Sequence, residues 1–182
     1  MDAKSSDNAS GAVNQQERLE SYIAGFVDGE GCFHVAIQRN TSTRAGWQLV
    51  PEFRISQDVS RIRVLTLARE LIGCGSVRED HRGTNDRTYV VVVRRREDLV
   101  KKVIPFFERN PLLSSKNEEF LAFARIVRSM AGGEHLCPGG FERLVAQALV
   151  MNGGGRYRRR YGDSDFRILR DHMPSTFGAD RE

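Results

Sequence analysis

The tightest constraint in this sequence is a change of period at Asp28 to Gly31. Before it, Leu19, Tyr22, Ile23, Phe26 and Val27 recur at helical spacing. After it, Phe33, Val35 and Ile37 alternate with His34, Ala36, Gln38 and Asn40, the pattern of a half-buried strand. The helix is predicted over Gln15 to Asp28, opened by a capping box of Asn14 and Glu17. Its end therefore falls where Asp28 and Glu30 flank Gly29. Ser21, Gly25 and Gly29 lie four apart on one face of that helix, so another backbone can approach closely there. The sequence alone leaves two partners open: a second helix, or the chain's own sheet.

The alternation predicts a β-hairpin from Cys32–Asn40 and Gln48–Ser56. Leu49, Phe53 and Ile55 face inward, and Gln48, Glu52, Arg54 and Ser56 face outward. Ile62, Leu65, Ala68, Leu71 and Ile72, stopped by Gly73, make a second helix. A second hairpin follows over Ser76–Asp80 and Arg87–Val93, across the polar loop His81–Asp86. Helical spacing resumes over Glu97–Phe107, with a break near Pro105. Two more helices are predicted, one opened by a Ser115 and Glu118 capping box and ended by Gly132-Gly133, the other over Pro138–Asn152. The fold class is α+β, layers of sheet and helix in the order αββαββα with helical additions. Residues 1–14 read as a disordered leader, 15–155 as one domain, and 156–182 as a basic tail with a polar end.

With 182 residues and 40% hydrophobic content, the chain holds one sizeable core. The formal net charge of +4 permits a nucleic-acid partner without requiring one. Cys32, Cys74 and Cys137 form no CxxC pair, which argues against a disulfide framework or zinc ribbon and for a reducing compartment. His135 and Cys137 lack a second ligand pair at zinc spacing, so the expected reading there is an exposed loop thiol. No apolar run approaches the ~18 residues of a membrane span, and no signal pattern opens the chain. An intracellular, cytoplasmic or nucleoid location is expected, without secretion and without a membrane partner.

Two carboxylates beside the exposed carbonyls of a helix end make poor helix electrostatics but a good hard-cation site; the other reading is a solvated acidic turn. The outward hairpin residues Gln38, Asn40, Gln48, Arg54, Arg78 and Arg87 are donor-rich, suited to DNA base edges and phosphates, with Tyr89 adding apolar contact. A plain solvated face is the alternative. Arg94 to Arg96 could touch phosphates or simply be solvated beside Glu97 and Asp98. Arg156, Arg158 and Arg159, interleaved with Tyr157 and Tyr161, form a stronger electrostatic candidate.

The nine residues from Ile23 to Gly31, IAGFVDGEG, resemble position for position the LAGLIDADG motif of homing endonucleases, keeping Ala24, Gly25, Asp28 and Gly31. FRISQ at Phe53–Gln57, GCGSVR at Gly73–Arg78 and IPFFERNPLLSSK at Ile104–Lys116 resemble further family landmarks. GEHLCP and MNGGGRYRR are similar to segments of the subset found in bacterial ribosomal-RNA group I introns.

The resemblance implies a single-motif enzyme that dimerises through Ser21, Ala24, Gly25, Asp28 and Gly29 and makes staggered cuts in a long, roughly palindromic double-stranded DNA. It implies Glu30 and the Gly29 carbonyl as ligands of Mg²⁺, with Mn²⁺ or Ca²⁺ as other occupants. Glu30 stands where the name motif has Asp. Catalytic roles fall to Glu30, Gln57 and Lys116. DNA contacts fall to His34, Gln38, Asn40, Gln48, Arg54, Arg78, Asp80, Arg87, Tyr89, Arg156, Arg158 and Arg159. The alternative function is an RNA maturase acting on intron RNA, or a DNA-binding regulator, on the same fold.

Overall fold

The computed structural model describes residues 5–43, 46–80, 87–137 and 139–152. Helix α1 spans Ser5–Glu30 and passes at once into strand β1, Gly31–Arg39. Strand β2 is Trp47–Asp58, helix α2 is Ile62–Ile72, and strands β3 and β4 are Ser76–Glu79 and Thr88–Val93. The chain continues through α3 (Arg96–Asp98), a π turn (Leu99–Val103) and α4 (Ile104–Arg109), then α5 (Lys116–Ala131) and α6 (Gly140–Asn152).

The strands form one antiparallel sheet in the order β1-β2-β4-β3. The β1–β2 register runs from Gly31 opposite Ile55 to Arg39 opposite Trp47. β4 pairs with β2 only from Phe53 to Asp58. Pro51 therefore sits where β2 has one bonded neighbour, the place in a sheet that tolerates a missing N–H.

The helices cover one face of the sheet. Phe33, Phe53, Phe107, Phe120 and Phe123 are all buried there. Phe33 is the hub, with ring centroids 5.1 Å from Phe53, 5.3 Å from Phe107 and Phe120, and 5.4 Å from Phe123. Offset and edge contacts of this kind add to the gain from area burial. Ile23 and Val27 enter the same core from α1, Leu65 and Ala68 from α2, and Val91 and Val93 from β4.

Several element ends differ from the sequence expectations for physical reasons. α1 begins at Ser5 rather than Gln15, inside the segment expected to lack structure, so Asn14 lies within the helix and caps nothing. Ser115 makes no capping bond, because its φ of −56° and ψ of −16° are already helical whereas a cap needs extended geometry. The hydroxyl of Ser114 accepts from the Lys116 N–H instead. The break expected near Pro105 is a π turn just before it, where proline withdraws an i→i−4 donor and the winding loosens. Gly73 ends α2 as expected, in the left-handed region with φ of 79°. Residues 81–86 and 153–182, including the expected tail contacts Arg156, Arg158 and Arg159, lie outside the described residues. Among the described residues no helix is long and apolar enough to cross a membrane.

Because Phe33 joins sheet and helix layers, Phe33→Ala should cost about 3–5 kcal/mol of unfolding free energy. Urea denaturation measures it, and a loss under about 1 kcal/mol would mean that the cluster is not the organising core.

Candidate nucleic-acid interface and acidic helix end

Ile23 and Val27 are fully buried and Ala24 is 5% exposed, which turns the opposite side of α1 outward. Ser21, Gly25 and Gly29 are exposed on that side, whereas Ala24, expected at an interface, packs inside its own chain. A Cβ placed on Gly25 or Gly29 would meet nothing within 4 Å. Packing within this chain thus gives no reason for either glycine, although a glycine inside a helix costs roughly 1 kcal/mol relative to alanine. Gly31 is the opposite case. A Cβ there would lie 2.5 Å from the Val27 side chain and 2.8 Å from the Val27 carbonyl oxygen.

At the end of α1 the two carboxylates have different surroundings. Asp28 accepts from the Ser114 hydroxyl at 2.5 Å and from the backbone N–H groups of Ser114 at 3.0 Å and Leu113 at 3.2 Å. These bonds, the Ser114 hydroxyl first, hold its pKa below the ordinary aspartate value, with the Lys116 charge adding to them. Lys116 donates from Nζ to the Gly31 carbonyl at 2.5 Å, so the segment before α5 is fastened to the helix end twice. Glu30 is exposed. Gln57 lies on β2 two residues past Ile55, the partner of Gly31, so it is beyond the start of β1 and pairs with Tyr89 of β4.

Among the described residues no three His, Cys, Asp or Glu side chains converge to hold a metal, His135 and Cys137 included. Asp28 is already engaged by Leu113 and Ser114. The donors left for a hard cation are the Glu30 carboxylate and the Gly29 carbonyl, an incomplete oxygen set that suits an ion keeping water and phosphate ligands.

The uncovered face of the sheet carries most of the expected DNA contacts. His34 pairs with Glu52, Gln38 with Gln48, Arg54 with both Cys32 and Val92, and Arg78 with Val90. Asn40 donates to Gln48 at 2.8 Å and Gln48 to Gln38 at 3.3 Å, a chain of amides at the far end of the hairpin. Arg54 is ion-paired with Asp80, and Arg94 with Glu52. Desolvation lowers the His34 pKa, and Arg94 and Arg54 lower it further against the raising effect of Glu52. Arg87 is exposed just ahead of β4.

Tyr89 departs from expectation. It shares the side of Val91 and Val93, packs against the core, and donates to Glu79 at 3.1 Å, so it does not face outward with the other candidates. Strand parity places it there: it pairs with Gln57, on the same side as Phe53 and Ile55. The Glu52–Arg94 pair was not singled out from sequence, since nothing local links residues that far apart. Arg61 was missed too; it lines a groove of about 770 Å³ with Tyr22 and Phe26 of α1 and Val64 and Leu67 of α2.

A family profile described as LAGLIDADG endonuclease matches residues 23–127, more than half of the chain. The chain belongs to the LAGLIDADG endonuclease family. Its α1 is the motif helix, and its four-stranded antiparallel sheet the family's sheet. The solved structure of the homing endonuclease I-TnaI is 39% identical, with a TM-score of 0.69, covering 84% of this chain and 95% of that one. The archaeal intron-encoded homing endonuclease I-Vdi141I, solved in complex with DNA, is 31% identical, with a TM-score of 0.76 and coverage of 85% and 96%. The DNA endonuclease I-CeuI of Chlamydomonas moewusii is 32% identical over 107 residues, 59% of this chain. This LAGLIDADG chain spans 47% of that relative's length, and about a quarter of two fungal relatives.

Asp28 in the motif should titrate below 3.8, and Ser114→Ala should raise it toward that value, as read by carboxyl NMR. A lowered folded pKa stabilises above the unfolded value and is lost as pH falls through the folded one. The stability difference between the wild type and Ser114→Ala should therefore shrink as pH falls below the ordinary aspartate value of 3.8 and through the lowered Asp28 pKa. A difference independent of pH would mean that the Asp28 charge is not involved.

Proposed function

We propose that this chain is a site-specific DNA endonuclease that works as a homodimer and cuts both strands of a long, roughly palindromic site. The observation that carries the reading is the glycine face of α1, open in this chain and ending on the exposed Glu30. Two such faces in contact bring two Glu30 carboxylates to one place, where the two scissile phosphates of a minor groove would lie. The exposed Tyr22 and the apolar groove beside it extend the surface that a second copy would cover. The uncovered sheet faces of both subunits would then follow the flanking major grooves, the groove in which base pairs are distinguishable.

Glu30 and the Gly29 carbonyl would hold Mg²⁺, with Mn²⁺ or Ca²⁺ able to occupy the same oxygens; such an ion supplies Lewis acidity and lowers the pKa of its water. Asp28 keeps the helix end in place through Leu113 and Ser114. Lys116 brings a fixed positive charge to that end, where it would offset negative charge developing on the phosphate, and Gln57 would orient the attacking water. The phosphate contacts release counterions, so binding should weaken steeply with salt.

The test uses the full chain, Mg²⁺, and DNA sites recovered by binding selection. The wild type should leave staggered double-strand ends, and Glu30→Gln should bind the same sites while cutting on the order of 10²-fold more slowly or worse. Lys116→Met should slow cutting more than it weakens binding. Unchanged cutting by Glu30→Gln would sink the assignment of the metal ligand. Tight binding without cutting by the wild type would make the protein a DNA-binding regulator instead.

A further inference from the structure

Glu52 is the one charged residue buried among the described residues, 8% exposed, and it is buried on the uncovered face of the sheet rather than in the core. It stands opposite His34 on β1 and is ion-paired through Oε2 with Nε of Arg94, the residue that follows β4. Arg94 continues the outward parity of Val90 and Val92, and its side chain is 58% exposed against 10% for Glu52. The carboxylate is thus sunk in the sheet while the guanidinium stands above it with Nε engaged. Among the described residues the guanidinium is bonded through Nε alone, which leaves the donors of the two Nη groups uncommitted.

Burying a carboxylate is costly unless it is paired, and for folding alone an apolar residue would serve as well or better here. A guanidinium held through one edge matches the requirement for bidentate donation to O6 and N7 of guanine, which depends on a fixed fork. A bare arginine would be a general phosphate contact. One neutralised by Glu52 adds little to salt-dependent affinity and keeps its directional donors, while the carboxylate disfavours a phosphate at the same spot.

We propose that Arg94, aimed by Glu52, is a guanine-reading specificity determinant of this chain. His34 lies three residues from Gly31, so the Glu52–Arg94 row stands about 10 Å, or roughly three base pairs, out from the strand end beside Glu30. This rests on the reading of the chain as a site-specific DNA-binding enzyme.

Binding-site selection from randomised duplex DNA tests it, using the full chain as wild type, Arg94→Ala, Glu52→Gln and the double variant. The double variant leaves no unpaired buried carboxylate, and the thermal unfolding of each protein is recorded. The wild type should require guanine at one position of each half-site, roughly three base pairs outside the cut region. Arg94→Ala and the double variant should lose that discrimination by about tenfold or more. Glu52→Gln should weaken it while sparing other positions, and the salt dependence of binding should hardly change in the double variant. Uniformly weaker binding with the guanine preference intact would show Arg94 to be a phosphate contact and overturn the inference alone. A wild type that selects no sequence would overturn both the inference and the reading beneath it.

Discussion

The junction at Gly31 sets the geometry of the rest. Strand β1 starts at the residue after α1 ends, and the chain passes so close over Val27 that a Cβ at residue 31 would overlap it. With Ile23 and Val27 committed to the core, the rotation of α1 is fixed and the face of Ser21, Gly25 and Gly29 must turn away from the sheet. The same junction fixes where the backbone presents Asp28 and Glu30 relative to Lys116, which bonds the Gly31 carbonyl. A longer connection would leave these groups free to drift, and functional constellations need positions held to a fraction of an ångström.

A second consequence is a division of labour between two acids one glycine apart. Asp28 is spent on structure, receiving two N–H groups and one hydroxyl from the segment before α5. Glu30 is left exposed where the helix carbonyls already gather negative charge. Neither the glycine face nor this acid is accounted for by the stability of one chain. Both make sense in a symmetric pair, where one surface meets its own copy. The extra methylene of glutamate, where the family name has aspartate, would lengthen the reach of the proposed ligand without changing its chemistry.

Much of the architecture was legible because it follows from period and termination. The two-residue alternation of Phe33, Val35 and Ile37 names the covered face of β1, and Leu65, Ala68 and Ile72 with Gly73 delimit α2 to the residue. The acidic helix end was equally visible. Features that depend on contacts distant in sequence were not. Ser115 is already helical and caps nothing, while the neighbouring Ser114 bonds Asp28, 86 residues away. Glu52 was placed on the outward side by parity, yet its burial depends on Arg94, 42 residues on. Tyr89 looked like a contact residue by type, while its parity with Val91 places it against the core.

The central claim is that the glycine face of α1 is covered by a second copy of this chain. Sedimentation equilibrium of the wild type and Gly25→Leu tests it directly, since a Cβ at residue 25 meets nothing within 4 Å in its own chain and the added bulk stands on the open face. The account predicts twice the 20.6 kDa chain mass for the wild type and a folded monomer for Gly25→Leu. A wild type that remains monomeric at micromolar concentration and on DNA, or a Gly25→Leu protein that dimerises as well as the wild type, would contradict it.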